Sequence, residues 1–555
     1  MLIRMATSDK YDRQLRLWGA HGQRALMSAK ILLVNADAAG TETLKNLVLP
    51  GVGSFAILDD AVVSESDIGS NFFLSANGVG LSRAEQSCAL LKELNADVRG
   101  LAIVSSATSF PFDEQLKNYS LVVVSNATDE LLLRVARSCL ALKIPLIAIA
   151  SCGFLCSYRV QLVNHEIIES KIDRSQTGLD LSILKPFPEL QMFCSQLDLN
   201  STDSALHSHI PYIAILTHCI AEWRNLHDGR VPRNFAEKQE FKSFVKSKAL
   251  DLPNELNFQE AVDNSYQAFA DEPLREEVVR VLDSVDALPL NAQSGDFELM
   301  VRALKLYLAR HDDRPPLTGV LPDMTASTEL YIALQQCYAS RASADRAEFT
   351  RLLDEIIAEA GAAPVSRDRI ELFCRNVRGL RLISTRTFEQ QLSGPLSSSS
   401  NGMREACSSP HADPLQTPAL WLLGLQAVNR FRAKFGRFPG QTDDLKEMEG
   451  DTKFVWTELK ALADEHGIPS QNGSDDTTAL TPMECGDDGE GIAVITRSHA
   501  EELVRCADSQ LHSISAFIGG IASQEIVKII THQFVPLDNC FVYNGIASCG
   551  TTLEL

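Results

Sequence analysis

Short apolar runs without polar alternation recur through the first 150 residues, and they constrain the fold more than any other feature of the chain. KILLVNA (30–36), SFAILD (54–59), LAIV (101–104), LVVVS (121–125) and IPLIAIA (144–150) are too short for helices and too uniformly apolar for strands with one wet face. A strand of that kind is buried on both sides, which calls for a parallel sheet with helices over each face. The intervening segments supply the helices. In TETLKNLVLPG (41–51), Leu44, Leu47 and Val48 share a face and Pro50-Gly51 is a stop signal. Residues 79–94 place Ala84, Cys88, Leu91 and Leu94 inward, and LLLRVARSCLAL (131–142) leads into the last run. Such a βαβ series predicts a doubly wound, Rossmann-like α/β fold.

The α/β texture stops near residue 166. To about residue 385 the chain reads as helix-period segments with short polar joints, among them IPYIAILTHCIAEWRNL (210–226), FELMVRALKLYLARH (297–311) and ADRAEFTRLLDEIIAEAG (344–361). Residues 393–418 and 466–491 read as loops, with a helix, ALWLLGLQAVNRFRAKFG (419–436), between them. The final stretch is α/β again: a helix at 512–531, then strands in FVPLDNCFVYNG and ASCGTTLEL. The economical arrangement is one α/β domain made from residues 1–165 and 492–555, interrupted by a mainly helical insert over 166–491.

Composition narrows the function. The 555 residues suffice for about three or four domain-sized units. Lysine and arginine total 51 against 72 acids, a net charge of −21 that repels phosphate backbones and makes nucleic acid an unsuitable partner. Thirteen cysteines without a CxxC pair exclude a disulfide scaffold and paired-cysteine zinc, and point to reduced thiols. The opening MLIRMATSDK is too polar for a signal peptide, and no run reaches about 18 uninterrupted apolar residues. The expectation is a soluble chain of the cytoplasm and nucleus with no membrane partner.

Nucleotide chemistry in such a fold belongs to the turn after the first strand, where glycines let backbone N–H groups approach phosphates at a helix N-terminus. Here the turn is Asn35-Ala36-Asp37-Ala38-Ala39-Gly40. Gly40 alone survives from a GxGxxG-type pattern. Asp37 sets a carboxylate where phosphates would lie, a repulsion of roughly 4 kcal/mol per unit charge at about 4 Å and an effective dielectric of about 20. Asp59, ending the second strand, has the chemistry to hold a ribose hydroxyl and equally to cap a turn. A nucleotide-binding fold with a dead nucleotide site is expected.

KYDRQLRLWG (10–19) resembles the opening motif of the ThiF/MoeB adenylation family, which includes the enzymes that activate ubiquitin-like proteins. GTETLKNLVLPGVGSFAILD (40–59) and LKELNADV (91–98) follow at the family's spacing. HSISAFIGGIASQEIVKIIT (512–531) resembles its closing helix, where Gly519 and Gly520 are expected to allow close approach to the sheet. The resemblance implies functional residues from which this chain departs. Asn35 to Gly40 replace a glycine-rich loop, Ser70 and Asn71 stand in Arg-Gln positions that meet ATP phosphates, and Arg83 stands for a lysine. Asp129, at the magnesium-binding position, precedes Glu130 rather than Asn and suits the first turn of a helix. Cys485 is the candidate for a thioester nucleophile, but Asp487, Asp488 and Glu490 around it disfavour a thiolate.

These departures imply the pseudo-enzyme half of a heterodimeric activating enzyme. LKPFPEL (184–190), HIPYI (209–213), GRVP (229–232), GVLPDMTASTELYIALQQCY (319–338) and VNRFRAKFGRFPG (428–440) resemble the neddylation branch, which has a large helical insert. The SUMO pathway's shorter non-catalytic subunit is the alternative. The resemblance gives ATP and magnesium to a catalytic partner subunit, which adenylates the ubiquitin-like protein and carries its thioester, and gives this chain no cofactor or metal. It implies that Arg13 crosses the interface to the partner's ATP phosphates, a task suited to a forked, always charged guanidinium; a pair with an acid on its own surface is the plainer role. Since no ubiquitin-fold domain follows the α/β closure at Leu555, recruitment of the conjugating enzyme is expected mainly through the partner. Two other classes stay open: a self-sufficient MoeB-like enzyme, which residues 35–40 and 70–71 oppose, and a dinucleotide-dependent oxidoreductase, which Asp59 permits.

Overall fold

The computed structural model describes residues 10–171, 180–270, 273–392, 402–407, 414–471, 493–506 and 508–555. The chain divides into two units, one of Met1–His165 with Ile383–Leu555 and one of Glu166–Leu382.

The first unit is built on an eight-stranded sheet. Its N-terminal part runs α1 Asp12–Ser28, β1 Lys30–Val34, α2 Ala38–Val48, β2 Ser54–Leu58, α3 Glu65–Ser70, α4 Arg83–Glu93, β3 Arg99–Ile103, β4 Leu121–Ser125, α5 Asp129–Leu142, β5 Leu146–Cys152 and β6 Leu155–Gln161. Its C-terminal part includes α6 Pro418–Phe435, α7 Leu445–Glu465, α8 Arg497–Cys506, α9 His512–Thr531, β7 Cys540–Asn544 and β8 Cys549–Leu553. The strand order is β8-β7-β6-β5-β4-β1-β2-β3. The strands from β3 to β5 are parallel, and β5, β6, β7 and β8 pair antiparallel in succession.

Side chains alternate across a strand, so each parallel strand feeds two cores. Ile31, Leu33, Phe55, Ile57, Leu121 and Val123 pack with residues of α2, α4 and α9, whereas Leu32, Val34, Ala56, Leu58, Val122 and Val124 pack with residues of α5. Both sets are buried, which is why the runs show no alternation. Each fully buried side chain of this size contributes about 1.5–3 kcal/mol.

α9 is long and apolar enough to cross a membrane, yet it is a core helix: Ile514, Ile518, Ala522 and Ile526 are buried in the core it shares with α2. A Cβ at Gly519 would lie 2.8 Å from Glu42 Cβ and 2.9 Å from the Thr43 nitrogen, so the glycine permits close approach to α2 rather than to the sheet. Gly520 faces open space, against expectation. Leu94, expected inward, is 37% exposed at the C-cap of α4.

The division into units departs from the sequence reading at its second boundary, placed there at 491/492. The chain rejoins the α/β unit at Ile383. The reason is shared core: Trp421, Leu423 and Phe431 of α6 pack with Leu155 of β6, Cys540 and Val542 of β7 and Leu553 of β8. Helical texture assigned this stretch to the insert, whereas its buried face covers the antiparallel strands.

The second unit is helical. Helix Thr328–Ala360 joins two cores, with Leu334 and Tyr338 in one and Phe349, Leu352, Leu353 and Ile356 in the other. Ser327 caps its start, accepting from the Leu330 N–H at 3.2 Å, and Gly361 at φ 65° ends it. The helix expected at 344–361 therefore begins sixteen residues earlier, at Thr328.

Candidate functional site

The β1–α2 turn is closed by the chain's own polar groups. Asn35 adopts φ 69° and donates its Nδ2 to the Ser125 carbonyl at 2.8 Å. A Cβ on Gly40 would meet Asn35 O and Leu33 Cδ1, each at 2.9 Å, so packing of the turn itself demands a glycine there. Asp37 caps α2. Its Oδ1 accepts from the Gly40 N–H at 2.8 Å and Ser125 Oγ at 2.6 Å, and its Oδ2 from Asn126 Nδ2 at 2.7 Å and Gln510 Nε2 at 3.4 Å. The Ala38 N–H donates to Gln510 Oε1 at 3.0 Å. Unpaired N–H groups and the helix dipole make such a terminus a phosphate site in principle. Here a carboxylate from the turn and an amide from residue 510 occupy that terminus.

Asp59 is 3% exposed and accepts three hydrogen bonds. Its Oδ2 accepts from the Ala36 N–H at 2.7 Å and Arg83 Nε at 2.8 Å, and its Oδ1 from the Ala61 N–H at 2.9 Å. Arg83 also reaches Asp67 Oδ1 at 3.5 Å. Burial alone would lower the Arg83 guanidinium, but Asp59, Asp37 and Asp67 hold it above its ordinary value. Asn71 is buried and stitches the turn: its Nδ2 donates to Ala36 O at 3.2 Å, and its Oδ1 accepts from Thr41 Oγ1 at 3.0 Å and the Phe73 N–H at 2.9 Å. Ser70 takes no part, since its hydroxyl stays on the carbonyls of Ser66 and Asp67 within α3.

Asp129 lies in the first turn of α5 and accepts from Asn429 Nδ2 at 3.2 Å. One turn along α6, Arg432 donates to the Asn126 carbonyl at 3.0 Å and Asn429 Oδ1 at 3.3 Å, with its guanidinium 4.1 Å from the Phe438 ring centroid. Burial lowers the Arg432 guanidinium, and Asp37 and Asp129 oppose that shift. Among the described residues no cluster of three or more His, Cys, Asp or Glu side chains is arranged to hold a metal ion. At the positions where ATP–magnesium is expected in such a fold, the helix N-terminus faces Asp37, Asp59 holds Arg83 and two backbone N–H groups, and Asp129 accepts from Asn429.

Asn35, Asp37, Gly40, Asp59, Arg83 and Asn71 thus form one network, which Asp129 approaches through Asn429 and Arg432. Sequence reasoning missed Arg432 and Gln510. Both lie in or beside recognisable segments, Arg432 in VNRFRAKFGRFPG and Gln510 just before the closing helix, but nothing local in sequence points either side chain at residue 37. Cys485 lies outside the described residues.

Arg13 is separate from the network. The segment that carries it, Asp12–Ser28, is helical, with a kink at Gly19, where φ is 70°. Tyr11 anchors its start, donating to Asp97 Oδ2 at 3.0 Å and accepting from Asn95 Nδ2 at 3.1 Å. Trp18 and Gln23 bond to each other at 2.9 Å beneath the helix, and Gln533 donates to the Trp18 carbonyl at 2.9 Å. Arg13 is exposed in the first turn and forms no ion pair among the described residues; Asp12 pairs with Arg16 instead.

The profile of the ThiF family matches residues 11–552, spanning both ends of the sheet and everything between. The chain belongs to the ThiF family. This ThiF-family chain is 35% identical, over 98% of its length, to the NEDD8-activating enzyme E1 regulatory subunit AXR1 of Arabidopsis thaliana, of which it covers 96%. It is 33% identical to the NEDD8-activating enzyme E1 regulatory subunit of Xenopus laevis, over 99% of this chain and 98% of that protein. It is 32% identical to the Nedd8-activating enzyme E1 regulatory subunit of Drosophila melanogaster, over 99% and 97%. Similarity to these regulatory subunits therefore runs nearly end to end through both units.

Proposed function

We propose that this chain is the regulatory, non-catalytic subunit of a NEDD8-activating enzyme. A catalytic partner subunit binds ATP and magnesium, adenylates the C-terminus of the ubiquitin-like protein, and carries the resulting thioester. This chain supplies half of the paired α/β dimer, and the conjugating enzyme is recruited mainly through the partner, in the cytoplasm and nucleus. The observation that carries the reading is the nearly complete alignment with proteins named as regulatory subunits. The β1–α2 turn supports it, since its phosphate-facing groups are engaged internally. Arg13 is the residue proposed to act in chemistry. Because α1 is fixed on its own domain, the partner's site must come to the first turn of that helix.

Reconstitution with the catalytic subunit tests the assembly. ATP and the ubiquitin-like protein should yield a thiol-sensitive adduct on the partner alone, at the same level with Cys485→Ala in this chain. An adduct on this chain, lost with that substitution, would overturn the assignment of roles. Calorimetry tests the turn separately. The isolated chain should give no saturable heat with ATP–magnesium at millimolar concentration, whereas micromolar binding abolished by Asp129→Ala would show a live site.

A further inference from the structure

Two cysteines far apart in sequence meet beside the β1–α2 turn. Cys152 ends β5 and Cys506 ends α8, and both are buried in a small cluster with Leu425. Gly153 adopts φ 55°, and a Cβ there would fall 2.3 Å from Cys506 Sγ, so the sulfur rests directly on the glycine. The Gly153 N–H donates to the Ser509 carbonyl at 2.8 Å, holding the segment after α8 against the end of β5. Their neighbourhood moves the two thiols in opposite directions, Cys506 downward and Cys152 upward, each chiefly through the other. Cys506 also contacts Glu502 Oε1 at 3.4 Å, and Glu502 lines an open pocket of about 600 Å³ with Phe154, Trp421, Arg505 and Ile546.

We propose that Cys152 and Cys506 form an oxidisable dithiol, with Cys506 the attacking sulfur and Cys152 the resolving one, whose oxidant is hydrogen peroxide entering by this pocket. The Cys506 sulfur gives up its proton as it attacks one peroxide oxygen. The S–O bond forms as the O–O bond breaks, and the departing hydroxide takes the proton and leaves as water. The Cys152 sulfur then attacks the sulfenyl sulfur. The S–S bond forms, the S–O bond breaks, and hydroxide leaves as water with the Cys152 proton. Two thiols are oxidised by two electrons while one peroxide becomes two waters. The resulting bridge fastens β5 to the segment that carries Gln510 into the turn.

The test uses the full-length chain, reduced, desalted, exposed briefly to hydrogen peroxide and quenched with N-ethylmaleimide. Non-reducing digestion and mass spectrometry should find the Cys152–Cys506 linked peptide as the main oxidation product, with buried Cys139 still alkylatable after unfolding. In Cys152→Ser, where the resolving thiol is gone, dimedone should label Cys506; in Cys506→Ser, Cys152 should stay reduced. Absence of the linked peptide from the wild-type chain, or dimedone labelling of Cys152 in Cys506→Ser, would overturn the proposal. The wild-type measurement requires no variant to fold, and it is independent of any conjugation activity.

Discussion

Arg13→Ala is expected to leave the heterodimer assembled and to slow adenylate formation by about ten- to a hundredfold. The magnitude follows from losing a charge-assisted hydrogen bond to phosphate, worth roughly 1.5–3 kcal/mol. Assembly should survive because α1 is held by Tyr11, Trp18, Gln23 and Leu26 rather than by Arg13, which is exposed in its first turn. Arg13→Lys should recover only part of the rate, since an ammonium cannot reproduce the guanidinium fork. ATP–pyrophosphate exchange by the reconstituted enzyme measures the effect, with gel filtration as the check on assembly. Normal exchange by the alanine variant would reduce Arg13 to a surface residue.

The second large effect is structural. Asp37→Ala should destabilise the N-terminal end of α2 by roughly 2–4 kcal/mol, from a lost N-cap of about 1 kcal/mol and from buried donors left without an acceptor at about 1–3 kcal/mol. The Gly40 N–H, Ser125 Oγ and Asn126 Nδ2 all point at this carboxylate. Asp37→Asn should cost about half as much, because an amide oxygen still caps the helix while its NH₂ faces donors. With separate cores in the two units, a single unfolding midpoint would blur the effect. Hydrogen exchange of peptides covering residues 35–48 is the suitable measurement. A rise of roughly thirty- to several-hundredfold is expected for the alanine variant, as about 1.4 kcal/mol corresponds to tenfold. Unchanged exchange would mean that Asp37 is not the keystone of the turn.

Much of the α/β frame could be read from the chain because its signals are local. Apolar runs without alternation mark strands covered on both faces, and Pro50-Gly51 does mark the end of α2. β6 escaped detection because LCSYRVQ looks like a strand with a wet face, yet all of it is buried. Two of its polar members meet a residue more than two hundred positions away: Arg159 lies over the Phe388 ring, and Gln161 Oε1 accepts from the Phe388 N–H at 2.8 Å. Asp37 was legible as a residue hostile to phosphate, but not as the acceptor for Ser125, Asn126 and Gln510, because those contacts span 88, 89 and 473 residues. The same limit hid Arg432. The glycines that the turn lacks are visible in sequence, whereas the groups that pack around it are set by tertiary structure.

The sheet's strand order has a consequence for how this protein is made. β6 is completed by β7, and α2 is covered by α9, yet both complements are translated roughly 370 residues after β6. At about 5–20 residues per second, the N-terminal α/β half waits on the order of 20–70 seconds with the edge of β6 unpaired and the α9-facing side of α2 wet. The 166–382 unit, whose cores draw only on its own residues, emerges complete within that interval. In the α/β unit the first-made strands are therefore among the last to be sealed.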